Sequence, residues 1–169
     1  VRFRKGRPEK IGGWEKYSSN SFLGVCRSLE DWVAIDGIAY IGLGTHLKFY
    51  VNEGSSFYDV TPIRATTSAG DVTFAATNGS STITVTDSSH GAVVNDFVTF
   101  SDAASLGGNV TAAVLNQEYQ IASVVNTNSY TITAKDTSGD TVTANSSDSG
   151  NGGSSTVGAY QINTGLTNY

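Results

Sequence analysis

The sequence predicts an all-β protein: an antiparallel, propeller-blade-like meander with a small β-barrel or sandwich inserted after it. Three observations carry this. Short runs of β-branched and aromatic residues recur between glycine- and asparagine-rich turns, the pattern of half-buried strands. Nineteen glycines against two prolines suit strands and turns, and no window sustains the apolar spacing of a helix. Charge and composition then change near residues 65–70. Residues 1–64 hold nine basic and seven acidic side chains; residues 65–169 hold one basic, Lys135, and eight acidic. Three parts follow: residues 1–66 as an N-terminal arm and meander, residues 67–156 as an inserted Ser/Thr-rich barrel, and residues 157–169 as a strand returning to the first sheet.

In the first part, Trp32–Asp36, Ile38–Gly44, Leu47–Val51 and Phe57–Thr61 read as successive strands, with turns at Gly37, at Thr45–His46 and at Asn52–Ser56. In the third strand Leu47, Phe49 and Val51 point one way, and Lys48, Tyr50 and Asn52 the other. Such a sheet has an apolar face, and nothing in the first 64 residues is expected to cover it. In the second part, Ser81–Thr86, Ala92–Phe100, Glu118–Val125 and Ser129–Thr133 read as strands, the last two joined by a turn at Asn126–Asn128. The inward candidates are Ile83, Val85, Phe97 or Val98, Tyr119, Ile121, Val124, Tyr130 and Ile132. Residues 136–156 carry little that is apolar beyond Val142 and Ala144, and read as an exposed hairpin or mobile loop. Val157–Ile162 alternates again.

Several function classes lose support on composition alone. No apolar run approaches the ~20 residues of a membrane-spanning helix, so no membrane anchor is expected. The basic start is not followed by an apolar segment, unlike a secretory signal. A chain that begins at Val1 is compatible with a processed or trimmed product. The single cysteine, Cys26, allows no internal disulfide and reads as a small half-buried residue. His46 and His90 lack metal-ligand spacing and read as turn residues. Glu30 and Asp31 are adjacent, and on a strand they face opposite sides. Asp136, Asp140 and Asp148 lie in a Ser/Gly-rich stretch where calcium is conceivable, but the spacing of a calcium loop is missing and a solvated loop is the favoured reading. There is no nucleophile elbow and no phosphate-binding glycine loop. The chain is read as a non-enzyme without cofactor or metal.

Six of the ten basic residues fall in the first sixteen positions. Arg2, Arg4, Lys5, Arg7, Lys10 and Lys16 could neutralise phosphates, with Phe3 or Trp14 stacking. Glu9 and Glu15 interrupt the run, however, and an acidic chain is a poor free DNA binder. Contact with an acidic neighbouring subunit is the favoured reading, with Gly12-Gly13 as a bend and Trp14 as a buried anchor. The candidate subunit-interface residues are therefore Arg2, Phe3, Arg4, Lys5, Arg7, Lys10, Trp14, Lys16 and Trp32.

Phe3–Trp14, Gly24–Trp32, Leu47–Val51 and Tyr58–Ile63 together resemble the opening of the tail-hub or nozzle proteins of short-tailed bacteriophages, also called packaged-DNA stabilisation proteins. Thr82–Thr86, His90-Gly91, Asn95–Phe100, Leu115–Tyr119 and Asn128–Thr133 are similar to a small β-barrel module common in phage virion proteins. The resemblance implies the N-terminal part of a longer protein that is made in the bacterial cytoplasm and built into the virion tail. It implies a homo-oligomeric ring, hexameric in the family, that meets the portal or adaptor and other tail proteins. Double-stranded DNA would pass through without sequence reading. The alternative reading is a host-surface glycan-binding fibre or adhesin module, or another virion decoration protein, with Tyr119, Tyr130 and Tyr160 available to stack on sugars.

Overall fold

The computed structural model describes residues 2–9, 16, 18–151 and 154–164. The fold is antiparallel and almost wholly β. It divides into two compact units, Val1–Val60 and Thr61–Tyr169.

The first unit opens with a hairpin of β1 (Arg2–Arg4) and β2 (Arg7–Glu9). Lys5 and Gly6 between them both take positive φ, 51° and 75°, as a two-residue turn of the tight mirror-image type requires. A meander follows, with β3 (Cys26–Val33), β4 (Ala39–Thr45), β5 (Phe49–Glu53) and β6 (Ser56–Asp59) paired in chain order. Its first strand differs from the expected Trp32–Asp36. Asp36 accepts a hydrogen bond from the Ile38 amide at 3.0 Å and Gly37 has φ 84°, so residues 34–37 form the turn and the strand lies before them. Ile35, expected within a strand, stands fully exposed at that turn.

The two faces of β5 alternate as read from the sequence, but the more deeply buried face is the one carrying Lys48, Tyr50 and Asn52. The cause is the segment before β3. Phe22 packs against Tyr50 and Phe57 with ring centroids 5.9 and 5.1 Å apart. Ser18 donates to the Ser55 carbonyl at 2.6 Å, and the Leu23 amide donates to the Tyr50 hydroxyl at 3.2 Å. Lys48, 2 % exposed, meets Asp59 at 2.5 Å, which keeps this buried ammonium paired. Part of the sheet is thus covered from within the first 64 residues, contrary to the sequence expectation.

The second unit is built from two sheets. One has the order β11 (Glu118–Gln120), β10 (Phe97–Ser101), β15 (Val157–Gln161), β7 (Ile63–Thr66). The other runs β12 (Ser123–Asn126), β13 (Ser129–Thr133), β9 (Thr82–Thr86), β8 (Thr73–Ala76), β14 (Asp148–Asn151). Their inner faces share one core in which Phe74, Ile83, Val85, Val98, Phe100, Ile121, Tyr130, Ile132 and Tyr160 are buried. Phe74 and Phe100 meet edge to face across it, 5.0 Å apart. Among the described residues the sheets form a sandwich and no closed barrel. All the inward candidates are buried except Val124, which is exposed because β12 is an edge strand with every residue open.

Other expectations shift with the local chemistry. Ala92–Phe100 is strand only from Phe97, because Asn95 takes φ 75° and the Asp96 carboxylate accepts the Val93 amide, closing a turn. Glu118–Val125 breaks at Ile121–Ala122 and passes from one sheet to the other. A single helical turn, α1 (Ala112–Leu115), is capped by Thr111, whose hydroxyl accepts the Val114 amide. The stretch 136–156 is not a free loop over its described part. Val142 and Ala144 pack on the core, and β14 extends the second sheet by pairing with β8. The final strand does not return to the meander: β15 lies between β10 and β7, with Tyr160 opposite both Val98 and Ala65.

The packing gives a direct comparison. Phe100→Ala, at a fully buried ring, is expected to cost about 3–5 kcal/mol in chemical denaturation. Val33→Ala, at a side chain 67 % exposed, is expected to cost no more than about 0.5 kcal/mol.

Candidate functional site

The first candidate surface is the edge of the meander. All eight residues of β3 are exposed, and among the described residues β3 pairs on one side only, with β4. Register puts Leu29, Asp31 and Val33 on the face of Leu43 and Tyr50, and Glu30 and Trp32 on the face of Tyr40 and Val51. Trp32 stacks on Tyr40 at 5.7 Å with the rings 20° apart, yet remains 43 % exposed. Gly42 makes this possible: a Cβ there would lie 3.1 Å from the Trp32 ring. Leu29 and Val33 are 61 % and 67 % exposed on the other face. The result is a free edge on which three large apolar side chains, Leu29, Trp32 and Val33, stand exposed beside Arg27, Glu30 and Asp31.

Of the other interface candidates, Arg2, Phe3, Arg4 and Arg7 lie in the β1–β2 hairpin and Lys5 in its turn; Lys5 and Arg7 are exposed. That hairpin hydrogen-bonds to no further strand among the described residues. Lys16 is exposed and its ammonium donates to the Ser19 carbonyl at 3.2 Å. Lys10 and Trp14 fall outside the described residues. Cys26 is exposed at the start of β3, not half-buried as read from the sequence.

The second candidate is a buried polar cluster in the second unit. Tyr130 and Tyr160 hydroxyls are 2.8 Å apart, and Tyr160 donates to the Asp87 carboxylate at 2.5 Å. Arg64 lies over the Tyr160 ring at 5.1 Å, donates to the His90 carbonyl at 3.2 Å and sits 3.8 Å from Asp96. Asp96 also accepts from Asn163 at 2.7 Å. Burial pushes the Tyr160 phenol well above its ordinary value of 10.0; the neighbouring Tyr130 and the Asp87 carboxylate add to the effect. Burial likewise raises Tyr130, against a lowering by its bond to Tyr160. Both phenols therefore stay protonated and act as donors in a chain that ends on Asp87. The cluster satisfies buried groups.

His90 borders a surface groove of about 450 Å³ whose walls include Ala92, Val93, Val124 and Asn126. Its Nδ1 accepts the Ala92 amide at 3.0 Å, and its Nε2 lies 3.0 Å from the Asn126 carbonyl. That pair of partners fixes the proton on Nε2 and occupies both nitrogens. His46 accepts the Val25 amide at 2.9 Å. Both histidines hold turns, as their sequence positions suggest.

Asp136 closes its own turn by accepting the Ser138 and Asp140 amides, both at 2.9 Å. Among the described residues no three His, Cys, Asp or Glu side chains are placed to hold a metal ion. Tyr119, Tyr130 and Tyr160 are all buried, so the sugar-stacking role open to them in the sequence is excluded by packing. No helix among the described residues is long and apolar enough to cross a membrane. The members of the polar cluster, Arg64, Asp87, Asp96, Tyr130 and Tyr160, are too scattered along the chain for spacing to signal them.

Fold and surfaces together define an antiparallel all-β protein of two units, one with a closed core and one with an open sheet edge. No protein-family model matches the chain, and no curated protein matches it. Among solved structures it is similar to a protein described as phage phi92 endosialidase, with 19% identity and a TM-score of 0.44. The match covers 81% of this chain and 18% of that one.

The cluster yields a prediction. Tyr160→Phe leaves the buried Asp87 carboxylate without this donor and is expected to destabilise the second unit by about 2 kcal/mol; Tyr130→Phe is expected to cost about 1 kcal/mol. Because the folded phenols hold their protons above the unfolded value of 10.0, their contribution is complete below that pH and is lost as pH rises past it. Equilibrium denaturation at rising alkaline pH should show stability falling, with less fall in Tyr160→Phe.

Proposed function

We propose that this chain is a structural component of a tailed-phage virion, joined to its neighbours through the meander and carrying the sandwich as a module. The observation that supports this most is the contrast between the units. The second buries its aromatic side chains in its own core, whereas the first leaves an eight-residue strand entirely exposed, with Leu29, Trp32 and Val33 on it. An open edge of that length, with three large apolar side chains on it, suits a polypeptide that functions in an assembly. The module reading rests on β7 and β15, the first and last strands of the second unit, which are paired neighbours. Chain entry and exit side by side is what an insertion needs.

Two positions in a tail fit. A peripheral fibre, adhesin or decoration position is favoured by the second unit, whose groove beside His90 offers apolar Val93 and Val124 with Asn126 for hydrogen bonding. A nozzle ring around the DNA channel is favoured by the sequence resemblance of the first 63 residues and by the basic hairpin that includes Lys5 and Arg7. In the ring reading, the portal or adaptor and passing double-stranded DNA are the partners.

Antibody raised against the chain is expected to label intact tailed particles that carry the full-length product. Label at the tail tip supports the nozzle, label on peripheral appendages supports the fibre, and unlabelled particles refute both. On an array of host-surface glycans the intact chain binds in the adhesin reading and gives no hits in the nozzle reading.

A further inference from the structure

We propose that the free edge of β3 pairs with the same edge of a second copy of this chain, antiparallel about a two-fold axis that passes beside Leu29. This goes beyond the virion reading and stands whether or not that reading does.

The meander has two edges, and they are not equivalent. The β6 edge is attended by the segment before β3: Ser18 and Asn20 both donate to the Ser55 carbonyl, and Phe22 packs on Phe57. Among the described residues the β3 edge is unpaired along its whole length. It has no proline and no lysine; its guards are the charges of Arg27, Glu30 and Asp31 and a bulge at one end, at Arg27, which leaves a regular ladder from Ser28 to Val33.

Charge selects both the partner and the register. Two copies related by a two-fold perpendicular to the sheet keep the same face up, so residues of one face meet residues of that same face. A centre on Glu30 or on Asp31 would set identical carboxylates opposite each other, which is unfavourable. A centre on Trp32 or Ser28 leaves both carboxylates opposite residues without positive charge. A centre on Leu29 behaves differently. Leu29 then meets its own mate, Ser28 meets Glu30, and the bulged Arg27 lies opposite Asp31. By symmetry each unlike pair occurs twice. Leu29, which meets its mate at the axis, is 61 % exposed in the single chain, so the pairing removes apolar area from water there. The strand is self-complementary in this register alone among the five.

Disulfide trapping in the full 169-residue chain tests the register. In Cys26→Ser/Leu29→Cys, the two thiols face each other across the axis within disulfide reach, so mild oxidation is expected to give a covalent dimer. Cys26→Ser/Val33→Cys, equally exposed, places its thiols more than about 20 Å apart and is expected to stay monomeric under oxidation. Sedimentation equilibrium tests the charges. Asp31→Arg, which sets two arginines opposite each other at both ends, is expected to weaken dimerisation about tenfold, and Arg27→Asp/Asp31→Arg to restore it. All these side chains are exposed, and circular dichroism verifies that each variant keeps its fold. A chain that stays monomeric at all concentrations overturns the proposal. So does equal trapping at positions 29 and 33, or a larger ring indifferent to the charge swap.

Discussion

A sheet can be stable in water only when one of its faces is covered, and the two units meet that demand in different ways. The second unit does it internally: its sheets turn the Phe74 face toward the Phe100 face, and the aromatic rings interlock between them. The first unit uses Phe22 and the short segment around it, which pack on β5 and β6. Most of what distinguishes the units follows. Tyrosines of the sandwich are sealed away, whereas the leucine, tryptophan and valine of β3 remain at the surface.

Closing a core around hydroxyls and carboxylates has its own requirement, that each buried polar atom finds a partner. The sandwich meets it with a chain of donors from Tyr130 through Tyr160 to Asp87, while Arg64 spans the outside of Tyr160 and reaches Asp96. The strands that supply these residues come from both sheets, so the cluster also ties the sheets together at one end. In the first unit the buried Lys48 ammonium is met by Asp59 on the adjacent strand, while Thr45 and Asn52 donate to the carbonyls of Lys48 and Ser56.

How much of this the sequence reveals depends on where the determining force is local. Thr82–Thr86 and Ser129–Thr133 alternate cleanly and fold as read, because one face of each is core and the other is solvent. Trp32–Asp36 has an equally apolar look, yet an aspartate followed by glycine turns the chain there, and the true strand is the more polar Cys26–Val33. Which face of β5 is buried was also not legible, since the answer rests on Phe22, nearly thirty residues away. The exposed Trp32 was visible as a candidate, whereas the Tyr160 cluster was not. The first needs only an aromatic residue in a strand; the second needs the fold to bring five distant side chains together.

In the module reading proposed above, the arrangement of β7 beside β15 has a consequence for how such a chain can evolve. Paired strands lie about 4.8 Å apart, so the sandwich asks of any recipient only a gap that an ordinary hairpin turn already provides. A cassette of that kind can be transplanted from one surface loop to another, or lost, without resetting the register of the protein that hosts it.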